Sequence, residues 1–166
     1  MKLFIFYLLQ WTWGLSQNIV GGIIYLLLLR SDRHTRESYH GARITYVDFD
    51  PTKFGGLSLG MFVFICKNAS EGYRHDSAIH ELGHCVQSIL LGPLYWLVVA
   101  APSVIWCNFP VFDRMHNTKE TKYFYYKLYC ETWANAWGAD WSGGEFITPE
   151  LLTGGWFATP WENRKK

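Results

Sequence analysis

The sequence predicts a mainly α-helical membrane protein with a small β-hairpin, built as one membrane-embedded domain over residues 1–166. Three observations predict it. No charged residue occurs between Lys2 and Arg30. The stretch His80-Glu81-Leu82-Gly83-His84 runs directly into a second charge-free segment, from Cys85 to Phe112. The chain also holds 9 Trp, 10 Tyr and 11 Phe, a loading that suits a membrane interface, where rings with one polar edge are favoured.

Length and charge narrow the class further. A chain of 166 residues suits one domain. With 15 basic against 14 acidic residues it lacks the clustered positive excess of an electrostatic nucleic-acid binder. The four cysteines, Cys66, Cys85, Cys107 and Cys130, form no CxxC pair and are expected to be reduced and structural, although two disulfides remain compatible with the spacing.

Taken in order, residues 3–29 predict a transmembrane helix, since a span needs about 20 apolar residues. Gln10, Ser16, Gln17 and Asn18 interrupt it beside Gly14, Gly21 and Gly22. Small residues and amides at such positions imply packing against protein as well as lipid. A cleaved signal peptide is the competing reading, opposed by the length of the run and by the lack of an A-x-A-like site. Arginines 30, 33, 36 and 43 follow, which places the next loop in the cytoplasm by the positive-inside rule. The polar residues from Ser31 to Gly41 read as a loop or short interfacial helix. Two β-like runs, residues 42–49 and 57–66, joined by the turn-forming DPTKFGG, predict a hairpin over 42–66.

A helix is expected over 76–91, capped by Asp76 or Ser77 and stopped by Gly92-Pro93. Residues 93–112 predict a re-entrant or kinked apolar hairpin, or else a transmembrane segment, because Pro102 divides them into halves too short to span. A last helix is expected over 118–141, and a loosely structured tail over 143–166.

The chemistry concentrates at His80, Glu81 and His84. Positions i and i+4 share one helical face, so both imidazoles can aim at one zinc ion. Glu81, beside them, is placed to take a proton from metal-activated water. Gly83 permits close approach of backbone or substrate. The bland alternative is a surface helix with satisfied histidines, which the apolar continuation of the helix opposes, because unpaired polar groups there are costly. A catalytic zinc needs a third protein ligand, and Glu131 in CETWANAWGAD is the best candidate, with Asp140 and His116 weaker ones. Glu131 could instead only pair with Lys127. Asn135 shares the face of Glu131 and can orient a ligand histidine; Gln87 shares the face of His80 and His84 and can do the same. Cys85 and Cys130 point roughly 100° away from their neighbouring ligands and read as packing residues. Arg74 and His75 are candidates for stabilising an oxyanion.

These residues resemble a known arrangement. HELGH followed by Glu131-Thr-Trp-Ala-Asn135 is similar to the gluzincin pattern of the membrane-embedded CaaX-processing and heat-shock zinc proteases, in which ExxAD follows HExxH on a later helix. Here Asn135 stands where that pattern has aspartate, leaving the ligand set intact and altering the residue behind it. The chain also resembles, over nearly its whole length, a group of short, uncharacterised bacterial membrane proteins, through Thr12–Gln17, Ser58–Phe62, His80–Ser88, Leu91–Tyr95 and Glu131–Asn135. The resemblance implies an integral-membrane, zinc-dependent metallopeptidase of a bacterial inner (cytoplasmic) membrane, acting on a peptide or membrane-protein substrate. It further implies an edge strand for an extended substrate, here Leu57, Ser58, Leu59, Gly60 and Met61. The alternatives are a non-catalytic membrane protein with a structural metal or polar cluster in a binding or immunity-type role, and a zinc hydrolase acting on a non-peptide bond.

Overall fold

The computed structural model describes residues 1–31, 34–50, 55–112 and 124–145. It is mainly helical, with a small mixed sheet of four strands. The N-terminal apolar run forms two helices, α1 (Lys2–Trp11) and α2 (Leu15–Leu28), in place of the single span expected over 3–29. The ladder breaks because side chains compete for its carbonyls. Thr12 Oγ1 donates to Leu8 O at 2.7 Å, and Gly14 N reaches back to Leu9 O at 2.9 Å. Asn18 Nδ2 then takes up Gln10 O, a carbonyl left without its helical partner at the break.

Residues expected as a polar loop form strand β1 (Thr35–Tyr39), which pairs antiparallel with β2 (Ala42–Val47) across a turn in which His40 and Gly41 both have positive φ. Strands β3 (Gly56–Leu59) and β4 (Phe62–Cys66) form a second hairpin. The hairpin predicted over 42–66 is therefore corrected: β2 and β4 lie side by side in parallel, and the sheet order is β1-β2-β4-β3. The run 57–66 read as one strand because Gly60, at φ 64°, hides a tight turn inside a continuous apolar stretch. Every residue of β4 is buried, as suits an interior strand covered on both faces, while β3 forms an edge.

Helix α3 (Glu71–Leu91) starts earlier than expected. Ser70 caps it by accepting from Tyr73 N at 3.3 Å, and Glu71 sits in the first turn, where the helix dipole favours an acid. The helix ends as expected, with Gly92 at φ 53°. A 3₁₀ turn (Gly92–Leu94) and a π-helical turn (Trp96–Ala100) lead into α4 (Ala101–Asn108), and the chain turns through 117° between Glu71–Leu94 and Trp96–Asn108. No single helix among the described residues is long and apolar enough to cross a membrane, whereas this bent pair is so in combined length and composition.

A 3₁₀ turn (Phe124–Lys127) precedes α5 (Tyr129–Ser142), so the last helix begins later than the 118 expected and ends at Ser142; residues 118–123 and most of the tail lie outside the described residues. Helix α5 packs along α3 with the two backbones in direct contact. A methyl carbon built on Gly83 would lie 1.8 Å from Ala134 O, and one built on Gly138 would lie 1.8 Å from Ile79 O. Only glycine allows this approach, and it is this approach that sets the next feature.

Candidate metal centre

His80 and His84 leave α3 on the side that faces α5, and Glu131 leaves the first turn of α5 toward them. All three are buried. Glu131 Oε2 lies 3.1 Å from His80 Nε2 and 3.3 Å from His84 Nε2. One ligand atom from each residue falls within a sphere that can hold a metal ion, the one such group among the described residues.

The hydrogen bonds behind the rings decide what those atoms present. Gln87 Nε2 donates to Cys130 O at 2.7 Å, so its Oε1 is the atom that faces His84 Nδ1, at 2.6 Å. An amide oxygen only accepts, so Nδ1 carries the proton and the lone pair of a neutral ring lies on Nε2. Asn135 Oδ1 stands in the same relation to His80 Nδ1, at 2.7 Å. With both rings neutral, two nitrogen lone pairs and one carboxylate oxygen thus converge. That arrangement is repulsive unless a metal ion, or protons on the rings in ion pairs with Glu131, supplies positive charge. Tetrahedral bonds of 2.0–2.1 Å would hold such atoms about 3.3 Å apart, close to the 3.1 and 3.3 Å that separate Glu131 Oε2 from the two rings. The donor set therefore fits a divalent metal held by two imidazoles and one carboxylate.

The other anticipated residues divide clearly. Glu81 is buried beside the cluster, against the edge strand: a methyl carbon built on Gly56 would lie 2.4 Å from Glu81 Oε1. Gly56 to Leu59 form that strand, and Gly60 and Met61 form its turn. Cys66 N donates to Gly55 O across the β3–β4 ladder at 3.0 Å. By alternation, Gly56 and Ser58 direct their N–H and C=O away from β4, toward the open side. Near Ser58 that side is met by Tyr95, whose hydroxyl is 3.5 Å from Ser58 O.

Arg74 and His75 do not join the cluster. Arg74 donates to Lys67 O at 3.3 Å and lies over the Tyr46 ring. His75 faces Asp76 and Glu145. Asp140 lines a groove with Lys2, Val86, Leu90, Trp137 and Trp141, and His116 lies outside the described residues. Cys130 does more than pack: its Sγ is 3.6 Å from Glu131 Oε1. The four cysteines are free.

Sequence reasoning missed Tyr126, whose ring stands edge-on to His80 at 5.2 Å, and the glycine contact at Gly138. Gly138 carried a signal, since 131, 135 and 138 recur at helical spacing on one face. Tyr126 carried none, because its place depends on the path of the chain before α5.

A second cluster clamps the end of α5. Glu145 accepts from Tyr39 at 2.5 Å and from His40 at 2.7 Å. Partial burial would raise the Glu145 carboxyl, but these two hydrogen bonds and the nearby histidines outweigh it and hold it below the usual carboxylate range. Burial, and then Glu145 itself, push the Tyr39 phenol up.

No family model, curated protein or solved structure matches this chain.

Proposed function

We propose that this protein is a membrane-embedded zinc metallopeptidase of gluzincin-like type, with zinc held by His80, His84 and Glu131. Convergence of two Nε2 lone pairs and one carboxylate oxygen beside the buried Glu81 carries the reading. Two imidazole nitrogens beside one carboxylate oxygen favour zinc over the hard cations that seek oxygen donors alone. Such an ion, when bound, supplies Lewis acidity toward a carbonyl and toward water.

The residues of the chain do the rest. Glu81 accepts the proton of the attacking water and returns it to the departing amine. Gln87 and Asn135 fix the tautomers of His84 and His80, and so the direction of both lone pairs. The outward N–H and C=O of Gly56, next to Glu81, provide a rail on which an extended peptide lies as an added strand.

The membrane setting rests on an inverted distribution of side chains. In α1 and α2 the amides Gln10, Gln17 and Asn18 are fully buried, while Ile23, Leu26 and Leu27 are more than half exposed. Val104 of α4 and Leu97 before it are likewise exposed. Polar inside and apolar outside is the pattern of a surface that meets lipid.

A second reading is favoured by the burial of the cluster: a metal that only joins α3 to α5 in a non-catalytic membrane protein. Glu81→Gln separates the two. With fluorescein-labelled casein as the probe, the peptidase loses hydrolysis and keeps its zinc. Wild-type protein that holds zinc but cleaves neither casein nor a mixed peptide library, and whose stability is unchanged by Glu81→Gln, would favour the structural metal.

A further inference from the structure

Two of the buried amides of the N-terminal helices, Gln10 and Asn18, form one connected network whose contacts reach both halves of the site. Gln10 Nε2 donates to Cys85 O at 3.0 Å, one residue past the ligand His84. Gln17 Nε2 donates to Gly92 O at 2.5 Å, where α3 ends. Asn18 faces the other way. Its Nδ2 is 2.5 Å from Gln10 O, 2.7 Å from Gln10 Oε1 and 3.1 Å from Gly14 O, while its Oδ1 accepts from Met61 N at 3.0 Å. Met61 belongs to the turn that closes β3 on β4.

The fit around that turn is tight. A methyl carbon on Gly60 would meet Asn18 at 2.5 Å, and one on Gly21 would meet Leu59 O at 2.4 Å. Gln10, Gln17 and Asn18 are all fully buried. In such surroundings each amide must be satisfied by a fixed partner, so the network holds one geometry.

We infer that Asn18 is a positioning residue for the edge strand: it holds the β3–β4 turn in register with the metal-bearing helix α3, so that Gly56 presents its outward groups beside Glu81. The inference rests on the peptidase reading for its catalytic meaning. It also gives a use to the polar interruptions of the N-terminal apolar segment, which anchoring in lipid does not require.

The test is hydrogen exchange over residues 56–62 of the full-length, zinc-loaded protein in detergent, read alongside zinc content and casein hydrolysis. Asn18→Ala removes the acceptor of Met61 N. Exchange at Met61, Leu57 and Leu59, whose N–H groups are held by Asn18 and by β4, should rise about tenfold, the effect of one lost buried hydrogen bond. KM for casein should rise by about the same factor, with kcat and zinc content nearly unchanged. Gln17→Ala, equally buried but bonded to Gly92 O at the end of α3 and to Ser16 rather than to the β3–β4 turn, should lower stability without changing exchange in 56–62 or KM. If Asn18→Ala fails to accumulate, Gly60→Ala pushes the turn away from Asn18 from the opposite side and should give the same exchange pattern. Unchanged exchange at Leu57 and Leu59, or an equal rise in Gln17→Ala, would overturn the inference. Wild-type protein that cleaves no casein would instead count against the peptidase, because exchange is read without turnover.

Discussion

Replacing Gly83 by alanine tests how the site is held together, because two effects of opposite sign meet at one atom. Glycine inside a helix costs about 0.5–1 kcal/mol relative to alanine, so on propensity alone Gly83→Ala should stabilise. The added methyl, however, would lie 1.8 Å from Ala134 O, where side-chain carbons essentially never come within 3.0 Å. The obstacle is backbone, which cannot rotate aside. Helices α3 and α5 must therefore part by about 1.2 Å, and overpacking of this kind costs about 1–3 kcal/mol. Ligand atoms now 3.1 and 3.3 Å apart would move to more than 4 Å, past the roughly 3.3 Å that a tetrahedral ion with 2.0–2.1 Å bonds can bridge. The variant should melt about 2–6 °C lower and bind zinc more than about 100-fold more weakly in a chelator competition. Gly72→Ala is the control, since nothing lies within 4 Å of its added methyl and it should stabilise slightly. A Gly83→Ala protein with unchanged melting temperature and zinc affinity would refute the close-contact account of the site.

Other outcomes follow from the same geometry. Gln87→Ala leaves His84 Nδ1 without its oxygen partner and Cys130 O without its donor, so zinc affinity should fall about 10–100-fold in the same competition, with the fold retained. Glu145, held below the usual carboxylate range, contributes stability that is present above the unfolded-state value and is lost as pH falls through the folded one. Glu145→Gln should therefore flatten the acid limb of the stability profile below about pH 4.5 while sparing zinc binding near neutrality; an acid limb as steep as that of wild type would remove Glu145 from the account.

Local signals made the site readable, and long-range packing hid much of the scaffold. His80, His84, Glu131 and the two amides behind the rings were legible because helical spacing alone puts 80, 84 and 87 on one face and 131 and 135 on another. What brings those faces together was half visible: Gly83 stood inside the motif, but its partner contact with Ala134 depends on how two helices pack. The stop at Gly92-Pro93 was legible because glycine and proline act locally. The single helix over 3–29 was not borne out, since hydropathy records the apolar residues and not the competition of Thr12 and Asn18 for backbone carbonyls. The hairpin over 42–66 failed for a related reason. Strand pairing is set by which neighbour buries a strand, and β4, apolar throughout, takes an interior place between β2 and β3. The edge position of β3 was anticipated only through family resemblance.

The central claim is that three buried side chains hold one metal ion. Elemental analysis of detergent-purified protein tests it most directly, comparing wild type with His80→Ala and Glu131→Ala. The account predicts near-stoichiometric zinc in the wild type and its loss or marked weakening in both variants. A well-folded wild-type protein that takes up no zinc, even after reconstitution, would contradict it, and would leave the cluster as a protonated ion-pair network that only joins α3 to α5.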